Sequence, residues 1–467
     1  MKNIITLFTL NIIAFQFTTA QNGVIFNVNE YETYVSNTNY LFGKTSMLGP
    51  EYFKFPKNNL FNIAPMTILT MSATSSPNNQ IHAFPLNYFC GFYCYDFKPG
   101  PLKTNGSLIR DSSINYNKVW NITDTDINEF ISAYYAGGNT WANYSIPSDF
   151  LTWPAHGPNG YDHNLSEFHD MNGDGIYNPY DGDFPKIKGT QYLRWIYNDI
   201  SHPAVDEIMG VEIRASLFGC SSSNPDDAIN RTIFIEYEII NRTNKTYNDV
   251  GVGLMIDFMI GCFENDNFRS NAKANAVQFY NSNQHFNLCT EENYYVQNPM
   301  VWGIGLIDVN NSPNEYLSSS LLNIRSVSPN PGIQFGQSIH LHNLHHARFK
   351  AGKPIRFGGT GFEDTTAAIA KYMYPGDSDP NFIGTNGIPY PYSWTYENYN
   401  NTGTELIPAL DRNFNNVLFP SLAPNEKIKV AYAIVGTQST SLNTEQLLAL
   451  NAKEIIEMRN QYQNNAF

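Results

Sequence analysis

The chain has 467 residues, 42% hydrophobic, 14% aromatic and only 15% charged, with a net charge of −14. This is a globular composition, with apolar material for one large core or two to three ordinary ones. The negative balance argues against nucleic acid as a partner and suits divalent cations. Abundant Tyr and Phe (30 and 31), set between Asn-rich, Pro-punctuated connections, favour strands and turns over helical bundles.

In chain order, residues 1–20 read as a secretory signal peptide: Lys2, an apolar run from Ile4 to Phe17, then small residues ending at Ala20. The run is short and broken by Asn11 and Gln16, which argues against a membrane anchor. No later segment approaches a membrane span, so an exported mature chain is expected. Residues 21–150 are expected to be β-rich with one helix. That helix lies in ITDTDINEFISAYYAGG (122–138), with Thr123 as cap and Asp126 as its acidic partner. Ile127, Phe130, Ile131 and Tyr134 form its apolar stripe, and Gly137 and Gly138 stop it. The five cysteines are Cys90, Cys94, Cys220, Cys262 and Cys289. An odd count in an exported chain permits two disulfides and one free thiol. Cys90 and Cys94 are close enough in CGFYC to pair, and Cys220 and Cys262 flank the strands described next.

Residues 151–199 contain DMNGDGIYNPYDGD, the stretch richest in oxygen donors. Counting from Asp170, positions 1, 3 and 5 are Asp170, Asn172 and Asp174, with Gly175 at position 6. Ile176, at position 7, offers a backbone carbonyl, Asn178 is at position 9 and Asp181 at position 12. This is the spacing of an EF-hand-type calcium loop, with Asp in place of the closing Glu. Alternate side chains on a tight curl converge on one point, as a hard cation needs, and Gly175 permits the curl. The following FPKIKGT is no exiting helix, so a single structural calcium ion is expected, holding an otherwise self-repelling turn. Asp181 and Asp183 are a weaker candidate acid/base pair.

Residues 200–467 are expected to form a β-sandwich-like region. TIFIEYEIINRTNKTYNDVGVGLMIDFMIG (232–261) reads as an antiparallel strand pair around a polar turn. PMVWGIGLIDV and KIKVAYAIVGT (427–437) are candidates to lie beside it. TEQLLALNAKEIIEMRNQY is a C-terminal amphipathic helix. In HLHNLHH (340–346), His342, His345 and His346 cluster at helical spacing. Without an HExxH glutamate they read as polar helix-surface histidines, the alternative being a transition-metal site if His342 and His346 converge with another ligand. Asp257 is expected to point outward from its strand, and Asp377 and Asp379 to sit in a rigid turn near Trp394 and Tyr396. Those carboxylates are the candidate acids of an alternative reading, a glycan hydrolase.

Several stretches together resemble a family of exported proteins of Bacteroidota associated with a type IX secretion C-terminal sorting domain. They are PGPL, VWNITDTDINEFI, LTWPAHG through YDHNLSEFHDMNGDGIYNPYDGDFPKIKGTQYLRWIYND, NRTIFIEYEIINRTNKTYNDVGVGLMIDFMIG, FGGTGF, YMYPGDSDP and LAPNEKIKVAYAIV. The resemblance implies an exported, β-rich protein without an assigned activity, and its acidic loop aligns with Asp170, Asn172, Asp174, Asn178 and Asp181. The sorting domain itself is not found in these residues. The expected protein is therefore mainly β, a β-sandwich-like body with a few inserted helices. Its expected role is binding or structural, in the cell envelope or outside the cell, with glycans or cell-surface components as partners.

Overall fold

A computed structural model describes residues 23–42, 53–58, 66–85, 97–200, 208–258, 260, 266–281, 297–310, 317–323, 337–362, 364–396 and 412–467. The first strands are β1 (Gly23–Phe26), β2 (Glu32–Ser36), β3 (Tyr40–Leu41), β4 (Phe53–Lys54), β5 (Met66–Ser75) and β6 (Gln80–Phe84). Then come β7 (Lys98–Pro99), β8 (Trp120–Thr123), β9 (Phe168–His169), β10 (Phe184–Pro185), β11 (Gln191–Asn198), β12 (Val211–Gly219) and β13 (Thr232–Asn241). The last are β14 (Tyr247–Asp257), β15 (Asp266–Asn271), β16 (Ala276–Asn281), β17 (Met300–Val309), β18 (Ser319–Asn323), β19 (Arg412–Leu422) and β20 (Lys427–Gln438). The α-helices are α1 (Asp124–Ala136), α2 (Gly138–Ala142), α3 (Ser148–Leu151), α4 (Ser338–His345) and α5 (Thr444–Gln463).

Two antiparallel sheets carry the body, as the mainly β expectation requires. The larger has nine strands in the order β15-β16-β17-β20-β13-β12-β11-β7, with β8 also on β11. The second has six, β18-β19-β14-β5-β3, with β6 also on β5. Side chains of the larger sheet alternate between two cores. Leu193, Trp195 and Tyr197 of β11 and Val430, Tyr432 and Ile434 of β20 face the second sheet, in one core with Leu69, Val252 and Phe414. Tyr192, Ile196, Ala431, Ala433 and Val435 face the other way, onto Phe130 of α1 and Ile455 and Met458 of α5. Both faces of the larger sheet are thus covered, so its central strands read as continuous apolar runs instead of alternating ones.

The expected antiparallel pair at 232–261 does not form. β13 pairs with β12 and β20, whereas β14 pairs with β5 and β19 in the other sheet. The polar connection is a crossing between layers. Arg242, within it, is buried and bound by Glu212, and the Asn241 side chain donates to Lys245 O and Leu422 O. The expected return of 427–437 does occur, as β20 fits between β13 and β17.

Local signals place the helices well. Thr123 accepts from Asp126 N while Asp126 accepts from Thr123 N, a capping box, and Gly137 follows the last turn of α1. Asn443 and Gln446 make the same reciprocal pair at the start of α5.

Candidate metal sites

The acidic loop leaves β9 at His169 and returns at Phe184 of β10, a two-residue antiparallel ladder closing its base. Asp170 organises the first half, accepting from Gly173 N (2.7 Å) and Gly175 N (2.8 Å). Asn172 Oδ1 accepts from Asp174 N, its amide donates to Asp174 Oδ2, and Asp174 Oδ1 accepts from Ile176 N. Gly175, at φ +76°, holds a left-handed conformation that a Cβ would strain. In the second half Asn178 caps a 3-10 turn at Pro179–Asp181, accepting from Tyr180 N and donating to Asp181 Oδ2. The predicted residues thus gather in two groups, Asp170, Asn172 and Asp174 in one and Asn178 and Asp181 in the other. Every one of them is exposed or half-buried. The donor set is all oxygen, and a carboxylate has about four acceptor sites, so Asp170 keeps about two beyond its backbone bonds. The set is of the chemical kind a hard cation takes, but its three carboxylates do not converge within 4.8 Å of one another as they stand.

Asp183 is the residue the loop spacing did not single out. Its side chain is fully buried, accepting from Met171 N (2.8 Å) and Asn178 N (2.9 Å), and so ties the two halves together. Asp181 lies exposed on the outside. The two are consequently not a matched pair of catalytic acids.

The histidines are not on a helix surface as expected. α4 lies against β5 and β6, with His345 wholly buried and His342 at 9% exposure. Burial, with His346 and His342 beside it, holds the His345 imidazole well below its usual range. Burial and His346 push His342 down to about 4, with Asp249 opposing. Asp249, on β14, faces both outer rings: its Oδ1 lies 2.8 Å from His346 Nε2 and its Oδ2 3.5 Å from His342 Nε2. Among the described residues, these three form the group of His, Cys, Asp or Glu whose ligand atoms all lie within 4.8 Å of one another. Asp249 escapes sequence reading because it lies 97 residues from His346, in what reads as the polar turn NRTNKTYND.

The other candidates separate. Asp257 is half-buried at the end of β14. Asp377 is exposed, while Asp379 is buried and accepts from Ile383 N, Gly384 N and the Tyr390 hydroxyl. Trp394 and Tyr396 are each 2% exposed, so neither offers a ring face to a sugar. Cys220 is a free thiol, not bridged to Cys262, and burial pushes it up to about 11. Cys90, Cys94, Cys262 and Cys289 lie outside the described residues, as do residues 1–20. Compared with known proteins, the chain matches no protein-family model and no curated sequence.

Proposed function

We propose that the protein is an exported, calcium-stabilised component of the cell envelope or extracellular space with a binding or structural role. The carrying observation is the loop from Asp170 to Asp181. Its oxygen donors stand toward solvent, while Asp183 and the β9–β10 ladder hold its base. A cation bound by Asp170, Asn172, Asp174, Asn178, Asp181 and the Ile176 carbonyl would relieve the repulsion among three carboxylates. Export is supported by the leader-like residues 1–20 and by the resemblance to exported Bacteroidota proteins. Among the described residues no helix is long and apolar enough to cross a membrane. Partners are proposed among glycans or cell-surface components, with Tyr135, Tyr180 and Tyr392 the exposed rings that could meet a sugar. The hydrolase alternative draws nothing from Asp379, whose oxygens are taken by backbone and tyrosine donors.

The test is thermal unfolding of the chain freed of all metal, in excess calcium and then in chelator. At a hundredfold excess over Kd, binding contributes about 2.7 kcal/mol, so chelation is expected to lower the Tm by several degrees. Asp174→Ala is expected to melt alike in both conditions. A wild-type Tm equal in the two would refute the calcium reading.

A further inference from the structure

We propose that Asp249, His342 and His346 bind a divalent transition-metal ion, with zinc the best match to the ligand set. Two ligands on one zinc ion, at bonds of about 2.0–2.2 Å, stand at most about 4.4 Å apart. The three ligand atoms already lie within 4.8 Å of one another, so small side-chain adjustments close the site.

The surrounding hydrogen bonds set which nitrogens are free. Thr70 Oγ1 donates its one proton to Gly253 O (3.1 Å), so toward His345 Nε2, at 2.9 Å, it accepts. Neutral His345 therefore carries its proton on Nε2, and its Nδ1 accepts from the Ser72 hydroxyl at 2.6 Å. With its proton used, Ser72 accepts from His342 Nδ1–H at 3.2 Å. His342 is left presenting the lone pair of Nε2 toward Asp249. His346 Nδ1–H donates to His342 O at 2.7 Å, which leaves Nε2 as the nitrogen that meets the carboxylate, at 2.8 Å. Two imidazole nitrogens and a carboxylate then converge on one point, with the far nitrogen of each ring held by its own partner. Backbone and hydroxyl partners that orient the far nitrogen are what metal-bound histidines use.

The third ligand is aimed by an irregularity in its strand. The β14–β5 register slips between Asn248 and Gly251, and Asp249 there has φ +52°. Bulges of this kind redirect a side chain away from the regular strand pattern. Here the side chain turned outward is the one that meets α4. Two imidazoles and one carboxylate suit zinc better than calcium or magnesium, which prefer oxygen alone. Three protein ligands leave a position for water or an external ligand, and the Asp249 side chain is 56% exposed.

The test is a zinc titration of the full chain after metal removal, followed by calorimetry, with cobalt(II) in a parallel sample for its visible absorption. One equivalent is expected to bind. Affinity should fall about 100-fold or more in Asp249→Asn and in His346→Gln, and about 10-fold in Ser72→Ala. Asp174→Ala should bind as wild type does, and excess calcium should not compete. Asn tolerates the left-handed conformation at position 249, and matching far-UV spectra show that each variant is folded. A wild-type chain that binds no stoichiometric zinc, as a proton-only site would, overturns the proposal. So does undiminished affinity in both Asp249→Asn and His346→Gln.

Discussion

Glu212 shows what single residues contribute. Its fully buried carboxylate takes Arg214 Nε (2.8 Å), Arg242 Nε (3.0 Å) and Leu102 N (2.9 Å). On the outer side Asp162 takes the other ends of the same two guanidinium groups, at 2.8 and 3.1 Å. Two acids and two bases thus neutralise one another at the point where the chain crosses from β13 to β14. Removing one member of such a set leaves an uncompensated buried charge, so Glu212→Ala should cost about 3–5 kcal/mol in denaturant unfolding. Burial pushes Asp162 up, but Arg214 and Arg242 outweigh it and hold it below its ordinary 3.8. The unfolded chain therefore takes this proton first as pH falls. The stabilisation is full above about pH 4 and is lost below it, as pH falls through the folded-state value. Unfolding midpoints from pH 3 to 7 should show a shallower acid slope in Asp162→Asn, and an unchanged slope would refute the assignment. None of this network was legible in the sequence, because its members come from positions 162, 212, 214 and 242 and meet only in the fold. The oxygen donors of the acidic loop were legible, because they are local.

Elements whose signals lie within one turn of chain were read with few errors. The capping box at Thr123 and the long terminal helix both depend on neighbours a few residues away. The 232–261 pair was misread because an apolar run carries no mark of which sheet it joins. A five-residue polar connection serves a hairpin and a layer crossing equally well. The face of α5 was likewise hidden. Its Asn451 is fully buried, donating to Val435 O and accepting from Gln278, and its Ile455 packs directly over Gly305 of β17. A Cβ on Gly305 would collide with the Ile455 side chain. Gly305→Ala should therefore cost about 1–3 kcal/mol by overpacking. Adding Ile455→Ala should recover part of that loss in a double-mutant cycle, and strictly additive effects would argue against this contact.

Across the whole molecule one core joins the two sheets. Trp302 of the larger sheet stacks on Phe258 at 4.7 Å and meets Phe53 edge-on at 6.0 Å, and the shared cluster reaches from Phe26 to Ile434. Near-UV and far-UV circular dichroism should consequently follow a single coincident transition on denaturation, since each sheet buries one face in the core it shares with the other. Two separated transitions would show that the layers unfold independently. Composition, hydrophobic period and capping residues were enough to identify a mainly β chain, its long helices and a loop of calcium-type spacing, because each of these is written within a few residues. Sheet membership, the burial of α4 and the meeting of Asp249 with two histidines needed the fold. They depend on strand register and on contacts between positions about a hundred residues apart, and local sequence carries no record of such pairings.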